Sequence, residues 1–166
     1  MMIITKEYET ETAHIVRNAY STRCRYNVHG HSYRWLISIN GDILDGAGMV
    51  IDFGNLKWIK EFVDKFDHSM VLWQNEESHI VDFFRDNFQR VIIMKRNCTA
   101  ENMASLLYKF VTEGLNRRYP ERTDLSVSSV KVFETRTGSA CAFNYDTFDV
   151  ITAEQGVDGD ERVTRI

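Results

Sequence analysis

Alternation of polar and apolar side chains predicts two strands near the start of the chain. The first covers residues 3–13, where threonines alternate with charged residues, a pattern that suits a strand with one solvated face. The second covers residues 29–40, in which every other residue is aromatic, aliphatic or histidine. Because successive side chains of a strand point to opposite faces, His29, His31 and Tyr33 share one side of the predicted sheet.

Apolar residues spaced three and four apart predict two main helices. The first follows a capping residue, Asp52 or Asn55, and ends at residues 67–68. The second follows Thr99, which is a suitable N-cap residue, and ends before Pro120, which cannot continue a helix. Both apolar stripes are typical of helices that pack on a core.

The remaining segments complete an α+β pattern. Residues 80–88 predict a short amphipathic helix and residues 91–94 a short strand, both inside the weakly periodic segment 69–98. Two closing strands are predicted over residues 125–134 and 140–150. The order of elements indicates a four-stranded antiparallel sheet with the two main helices on one face.

Length and composition indicate one domain of a cytoplasmic protein. The chain has 166 residues, of which residues 1–152 form the predicted domain and 153–166 a polar tail. A net charge of −4 gives no basic field for nucleic-acid binding, and no apolar run reaches the roughly 20 residues of a membrane span. The first residues are too quickly charged for a signal peptide. Three irregularly spaced cysteines suit a reducing cytosol better than a disulfide framework.

The most informative stretch is the pair His29 and His31, separated by one glycine. Two histidines on one strand face supply two nitrogens of a metal site, and His14 at the end of the first strand is the candidate third ligand. Three protein ligands with an open fourth position are typical of catalytic zinc. The spacing alone fits equally well one core histidine and two surface histidines. Cys24 stands close by in sequence.

With these residues in view, the chain resembles the family of 6-pyruvoyltetrahydropterin synthase and its bacterial relative 6-carboxytetrahydropterin synthase. The matching pieces occur in order between residues 13 and 135 and are specific as a set. They are Ala13-His14, Cys24, His29-Gly30-His31-Ser32-Tyr33, Gly48-Met49-Val50-Ile51-Asp52-Phe53 with Leu56-Lys57, Phe66-Asp67-His68, Thr99-Ala100-Glu101-Asn102 and Phe133-Glu134-Thr135.

The resemblance implies a T-fold, in which subunits join their sheets into a barrel and assemble as trimers or hexamers. It implies Zn²⁺ on His14, His29 and His31, and Cys24 as the thiolate that takes a proton from substrate carbon. Four residues separate Cys24 from His29, whereas three are usual in the carboxytetrahydropterin type and more in the pyruvoyl type. Cys98, before a predicted helix N-terminus, is the alternative thiol.

The resemblance also assigns the remaining candidate residues. It makes Asp67 and His68 a proton relay, although histidine at a helix C-terminus is also a common electrostatic cap. It makes Glu134 the acceptor of two N–H groups of a pterin, where the alternative is a carboxylate paired with an arginine or lysine. Thr99 and Glu101 would help to frame the ring. Candidates for holding the triphosphate are Arg17, Arg23 and Arg25.

The implied activity is conversion of 7,8-dihydroneopterin triphosphate. The favoured product is 6-carboxy-5,6,7,8-tetrahydropterin, formed with release of acetaldehyde and triphosphate on the route to 7-deazaguanine bases such as queuosine. The cysteine spacing and Ser32 after the last histidine favour this outcome. The alternatives are elimination of triphosphate to give 6-pyruvoyltetrahydropterin, and a pterin-binding relative without turnover. Segment 69–98, longer than the family's usual connection, leaves room for the latter.

Overall fold

The computed structural model describes residues 1–143 and 163–166. These ranges contain seven strands and four α-helices, and a 3-10 helix over Phe53–Leu56 precedes the second α-helix. The elements are β1 (Met2–His14), α1 (Thr22–Tyr26), β2 (His29–Gly41), α2 (Lys57–Val63), β3 (Ser69–Trp73), α3 (Ser78–Asn87), β4 (Val91–Met94), α4 (Ala100–Arg118), β5 (Ser126–Phe133), β6 (Ser139–Ala142) and β7 (Val163–Arg165).

All seven strands belong to one mixed sheet, in the order β6-β5-β2-β1-β3-β4-β7. The first four strands in this order are antiparallel neighbours, and they correspond to the predicted four-stranded sheet. The other three continue the sheet as parallel neighbours beyond β1. The prediction of only four strands is therefore wrong. Segment 69–98 supplies β3 and β4, and β7 comes from residues assigned to the polar tail.

Helices cover both faces of this sheet. As predicted, α2 and α4 lie on the same face, where they form the main core with β2 and β5. On the opposite face α3 forms a second cluster with Ile15 and with residues of β3 and β4, and Phe84 is its buried helical member. Strand β4 is buried on both faces because Ile92 faces the main core while Ile93 faces α3. Such uniform burial is typical of parallel strands.

Large aromatic side chains stabilise the main core. Tyr33 and Trp35 of β2 are fully buried, and each large apolar side chain removed from water contributes about 1.5–3 kcal/mol. Helix α4 packs closely on α2 at Gly114, where a Cβ would overlap the ring of Trp58. Among the helices that the structure describes, none is both long enough and apolar enough to cross a membrane.

Three local features differ from the predicted elements. Helix α2 ends at Val63 rather than at residues 67–68, which instead lie in a turn where His68 has a φ of 53°. The segment 15–28, for which the sequence analysis gives no element, contains the five-residue helix α1. Strand β6 ends at Ala142, and the rest of the strand predicted over 140–150 lies almost wholly outside the described residues.

Candidate metal centre

The pairing of β1 with β2 brings three imidazoles together. His14 lies directly opposite His29, and Thr12 lies opposite His31, so all three histidines are on the α2/α4 face of the sheet. The ring centroids of His14 are 4.5 Å from His29 and 5.2 Å from His31. One nitrogen from each ring lies within 4.8 Å of the others. This grouping is the predicted ligand set.

Two backbone carbonyls select the nitrogens that are available to a metal. Nδ1 of His14 donates to the carbonyl of Cys98 at 2.7 Å, and Nδ1 of His29 donates to the carbonyl of Asn27 at 3.1 Å. A carbonyl can only accept, so in both rings the proton is on Nδ1 and the lone pair is on Nε2. Histidine ligands are commonly oriented in this way by an outer hydrogen bond.

Burial favours the neutral form of His14 and His31. His14 is fully buried, and the loss of solvation lowers its pKa to about 4. Burial also lowers the pKa of His31, against the opposing effect of the Glu134 carboxylate. Neutral imidazole is the form that binds a metal. The three histidines offer three ring nitrogens that could together hold a metal ion, and no fourth ligand among the described residues belongs to the group.

Glu134 lies beside the histidines, immediately after β5. Its Oε1 accepts a hydrogen bond from the hydroxyl of Tyr33 at 3.2 Å and lies 3.7 Å from Nε2 of His14. Burial, followed by the nearby Glu134 charge, raises the pKa of Tyr33, so the hydroxyl remains a donor. The Glu134 side chain is 32% exposed. The carboxylate is therefore anchored on one side and open on the other. Sequence reasoning assigned no role to Tyr33, although its place on the His31 face was visible.

The two cysteines near the site differ in environment. Cys24 lies on α1, is partly buried, and does not belong to the group of described residues that can hold a metal. Cys98 is fully buried, and burial raises the pKa of its thiol to about 12. The expected activation of Cys98 by the α4 N-terminus is thus outweighed by desolvation. The nearby Glu76 charge acts in the same direction.

Asp67 and His68 contact each other but not Cys24. Nδ1 of His68 lies 3.0 Å from Oδ2 of Asp67, whose other oxygen accepts the N–H of Glu11 at 2.9 Å. That backbone hydrogen bond is the main reason why the pKa of Asp67 is lowered. The His68 side chain is 75% exposed. Within the described part of the chain, His68 and Cys24 make no hydrogen bond with one another.

His68 lines an open cavity of about 680 Å³ on the α3 side of the sheet. Its neighbours there include Glu11 and Ser32, whose side chains hydrogen-bond to each other at 2.9 Å, and the apolar residues Met70 and Phe84. The same cavity is lined by His31, one of the three candidate metal ligands. The candidate relay and one member of the histidine group therefore border one cavity.

The helix α4 begins near His14 and carries the remaining predicted pterin-binding residues. Oγ1 of Thr99 accepts the N–H of Asn102 at 3.3 Å, so Thr99 is the N-cap that the sequence predicted. Glu101 is exposed in the first turn of the helix. The carbonyl of Cys98 connects this helix N-terminus to His14.

Two of the three arginines that are candidates for holding the triphosphate make hydrogen bonds within the chain. Arg17 forms a two-point ion pair with Glu76, and Nε of Arg25 donates to the carbonyl of Ala19 at 2.8 Å. The guanidinium of Arg17 is therefore not free to hold a triphosphate. Sequence reasoning missed Glu76, because nothing in the local pattern indicates a partner 59 residues away from Arg17.

Comparisons with known proteins identify the family of this chain. The family model described as 6-pyruvoyl tetrahydropterin synthase matches residues 3–144. The chain is 33% identical over 148 residues to a 6-carboxy-5,6,7,8-tetrahydropterin synthase of Helicobacter pylori, covering 87% of this chain and 74% of the relative. It is 30% identical over 150 residues to the protein of that name from Haemophilus influenzae, covering 86% and 99%.

Solved structures show the same fold. An uncharacterized protein of Wolinella succinogenes, WS1659, superposes with a TM-score of 0.68 at 21% identity, covering 86% of this chain and 98% of that one. The 6-pyruvoyl tetrahydropterin synthase of Plasmodium falciparum superposes with a TM-score of 0.63 at 20% identity, covering 87% and 98%. These likenesses agree with the T-fold that the sequence motifs predict. With the family model matching most of its length, this chain belongs to the 6-pyruvoyl tetrahydropterin synthase family.

Proposed function

We propose that this protein is a 6-carboxy-5,6,7,8-tetrahydropterin synthase. It converts 7,8-dihydroneopterin triphosphate with release of acetaldehyde and triphosphate, in the biosynthesis of 7-deazaguanine bases such as queuosine. The observation that carries the proposal is the cluster of His14, His29 and His31 next to the half-open carboxylate of Glu134. The names of the bacterial relatives support this product.

In this proposal His14, His29 and His31 hold Zn²⁺. A zinc ion held there would supply Lewis-acid chemistry toward oxygens of the substrate side chain. The hydrogen-bonded Nδ1 atoms of His14 and His29, and a ligand group that contains three histidines and no fourth ligand among the described residues, support zinc with an exchangeable position.

The pterin ring is held by Glu134. A 2-aminopyrimidinone edge offers two parallel N–H donors, and an ionised carboxylate matches both of them. The hydrogen bond from Tyr33 leaves the second oxygen of Glu134 for this purpose. Thr99 and Glu101 at the start of α4 frame the ring, since the α4 N-terminus connects to His14 through the Cys98 carbonyl.

Cys24 takes the proton from substrate carbon, and His68 exchanges protons with it or with a substrate hydroxyl. Asp67 orients His68 through the contact at 3.0 Å. Cys98 is unsuited to the first role because its thiol is buried and its pKa is raised. The three cysteines are free thiols, as expected in the proposed cytoplasmic location.

In this proposal a second copy of the chain completes the relay. Among the described residues of one chain, His68 borders the same cavity as His31 and contacts Asp67, but it makes no hydrogen bond with Cys24. A neighbouring copy that presents His68 to Cys24 would complete the site. This arrangement fits the proposed trimer or hexamer, in which sheets join edge to edge into a barrel. Among the described strands β6 lies at an edge of the sheet, which also favours assembly, because sheet edges are usually paired or covered.

Product analysis tests the activity directly. Purified protein supplied with zinc and 7,8-dihydroneopterin triphosphate should yield 6-carboxytetrahydropterin and acetaldehyde, identified by mass spectrometry. Accumulation of 6-pyruvoyltetrahydropterin would assign the protein to the other activity of the family. Binding of the substrate without turnover would indicate a pterin-binding protein instead.

Complementation tests the shared site. The variants Cys24→Ala and His68→Ala should each be inactive alone, because each lacks one member of the proton-transfer pair. After the two are mixed, dissociated and reassembled, about a quarter of the sites should contain both residues if neighbours pair at random. Activity should return to a comparable fraction of wild type.

The control mixes Cys24→Ala with the double variant Cys24→Ala/His68→Ala, which has no complete site in any pairing. Activity in the test mixture no greater than in this control would place both residues in one chain and contradict the shared site.

Glu134→Gln tests the pterin anchor independently of the metal. The amide keeps the shape but can accept only one of the two donors, so neopterin should bind about 10- to 100-fold more weakly, the range for losing a charge-assisted hydrogen bond. Zinc content should remain that of wild type. Calorimetric titration with neopterin measures the change, with the exposed Glu121→Gln as the matched control. Equal affinity in both variants would show that the pterin is held elsewhere.

A further inference from the structure

A buried ion pair connects the segment that carries Cys24 to the extended segment 69–98. Nε and Nη2 of Arg17 lie 2.7 Å and 2.8 Å from the two carboxylate oxygens of Glu76. The Glu76 side chain is only 3% exposed and that of Arg17 is 22% exposed. Two parallel hydrogen bonds between these planar groups fix both position and orientation.

Arg17 and its neighbour Val16 also hydrogen-bond to the short helix α1. Its Nη1 donates to the carbonyl of Arg25 at 2.9 Å, and the N–H of Val16 donates to the carbonyl of Cys24 at 3.0 Å. Two consecutive carbonyls of the short helix are thus held by neighbouring residues, 16 and 17. A five-residue helix has little stability of its own. These contacts therefore determine where Cys24 lies.

The extended segment holds Arg17 from two sides. Glu76 follows β3, and its N–H donates to the carbonyl of Trp73 at 2.9 Å. Asn97 follows β4, and its Nδ2 donates to the carbonyl of Arg17. Because β3 and β4 are neighbouring parallel strands, both contacts come from the same edge of the sheet.

We propose that Arg17 and Glu76 form a positioning clamp for Cys24, and that the extended segment 69–98 serves to supply it. The clamp deepens the proposed function, in which Cys24 takes a proton from the substrate. Neither residue contacts the reacting atoms. Both act by fixing the thiol relative to the three metal-binding histidines.

Glu76→Gln tests the clamp because it removes the charge and one acceptor while keeping the volume. We expect unchanged zinc content and secondary structure. Cys24 should react with iodoacetamide at least about threefold faster, measured by peptide mass spectrometry against the exposed Cys141 of the same molecule. The kcat should fall about tenfold or more with KM within about twofold, since small misplacement of a reacting group is costly.

Glu77→Gln is the matched control, since it changes the adjacent carboxylate, whose side chain is 72% exposed. It should leave both the thiol reactivity and the kcat at wild-type values. Arg17→Lys is the second variant if Glu76→Gln does not fold. It keeps the positive charge but loses the planar guanidinium that contacts both Glu76 and the Arg25 carbonyl. It should therefore also raise the alkylation rate of Cys24 and lower the kcat.

Wild-type thiol reactivity of Cys24 in a folded Glu76→Gln or Arg17→Lys protein would overturn the clamp. The alkylation readout does not depend on turnover. If wild-type protein fails to convert dihydroneopterin triphosphate, the proposed function fails, while the reactivity of Cys24 still decides whether the clamp exists.

Discussion

The antiparallel pairing of β1 with β2 is the constraint on which the metal centre depends. The pairing extends from Met2 opposite Gly41 to His14 opposite His29 without a change of register. A slip by one residue would turn every side chain of a strand to the other face. The same alternation that buries Trp35 therefore directs His31 to the core face. Several kcal/mol of aromatic burial oppose any register in which the histidines would separate.

The metal centre occupies one end of the main core, where polar groups replace apolar ones. His14 is fully buried, and its ring is satisfied by the Cys98 carbonyl at the start of α4. Tyr33 and Glu134 extend the polar cluster toward solvent. A buried imidazole costs stability unless it is hydrogen-bonded, so the contact between β1 and α4 both orients the ligand and offsets its burial.

The elements that could be predicted from the sequence are those with a periodic pattern or a capping residue of their own. Period-two alternation predicted β1 and β2, and placed His29 and His31 on one face. The apolar spacing and the Thr99 cap predicted α4. The short apolar run 91–94 predicted β4, but β3 had no such signal, because strands buried on both faces show no alternation and resemble buried helix segments. Their parallel addition to the sheet therefore could not be predicted.

Other features of the site depend on contacts between distant residues. The pairing of Arg17 with Glu76 joins two segments whose sequences carry no common motif. The early end of α2 places His68 in a turn with a positive φ, and its side chain lines the cavity next to α3. Tertiary structure, rather than residue type, determines both outcomes.

X-ray absorption spectroscopy of the zinc-loaded protein tests the central claim most directly. We expect a zinc ion with imidazole nitrogens at about 2.0–2.1 Å, an exchangeable oxygen and no sulfur in the coordination shell. The variant His31→Ala should lose most of the bound zinc. A sulfur at about 2.3 Å would make Cys24 a ligand rather than a base and would contradict the account, as would full zinc occupancy in the His31→Ala protein.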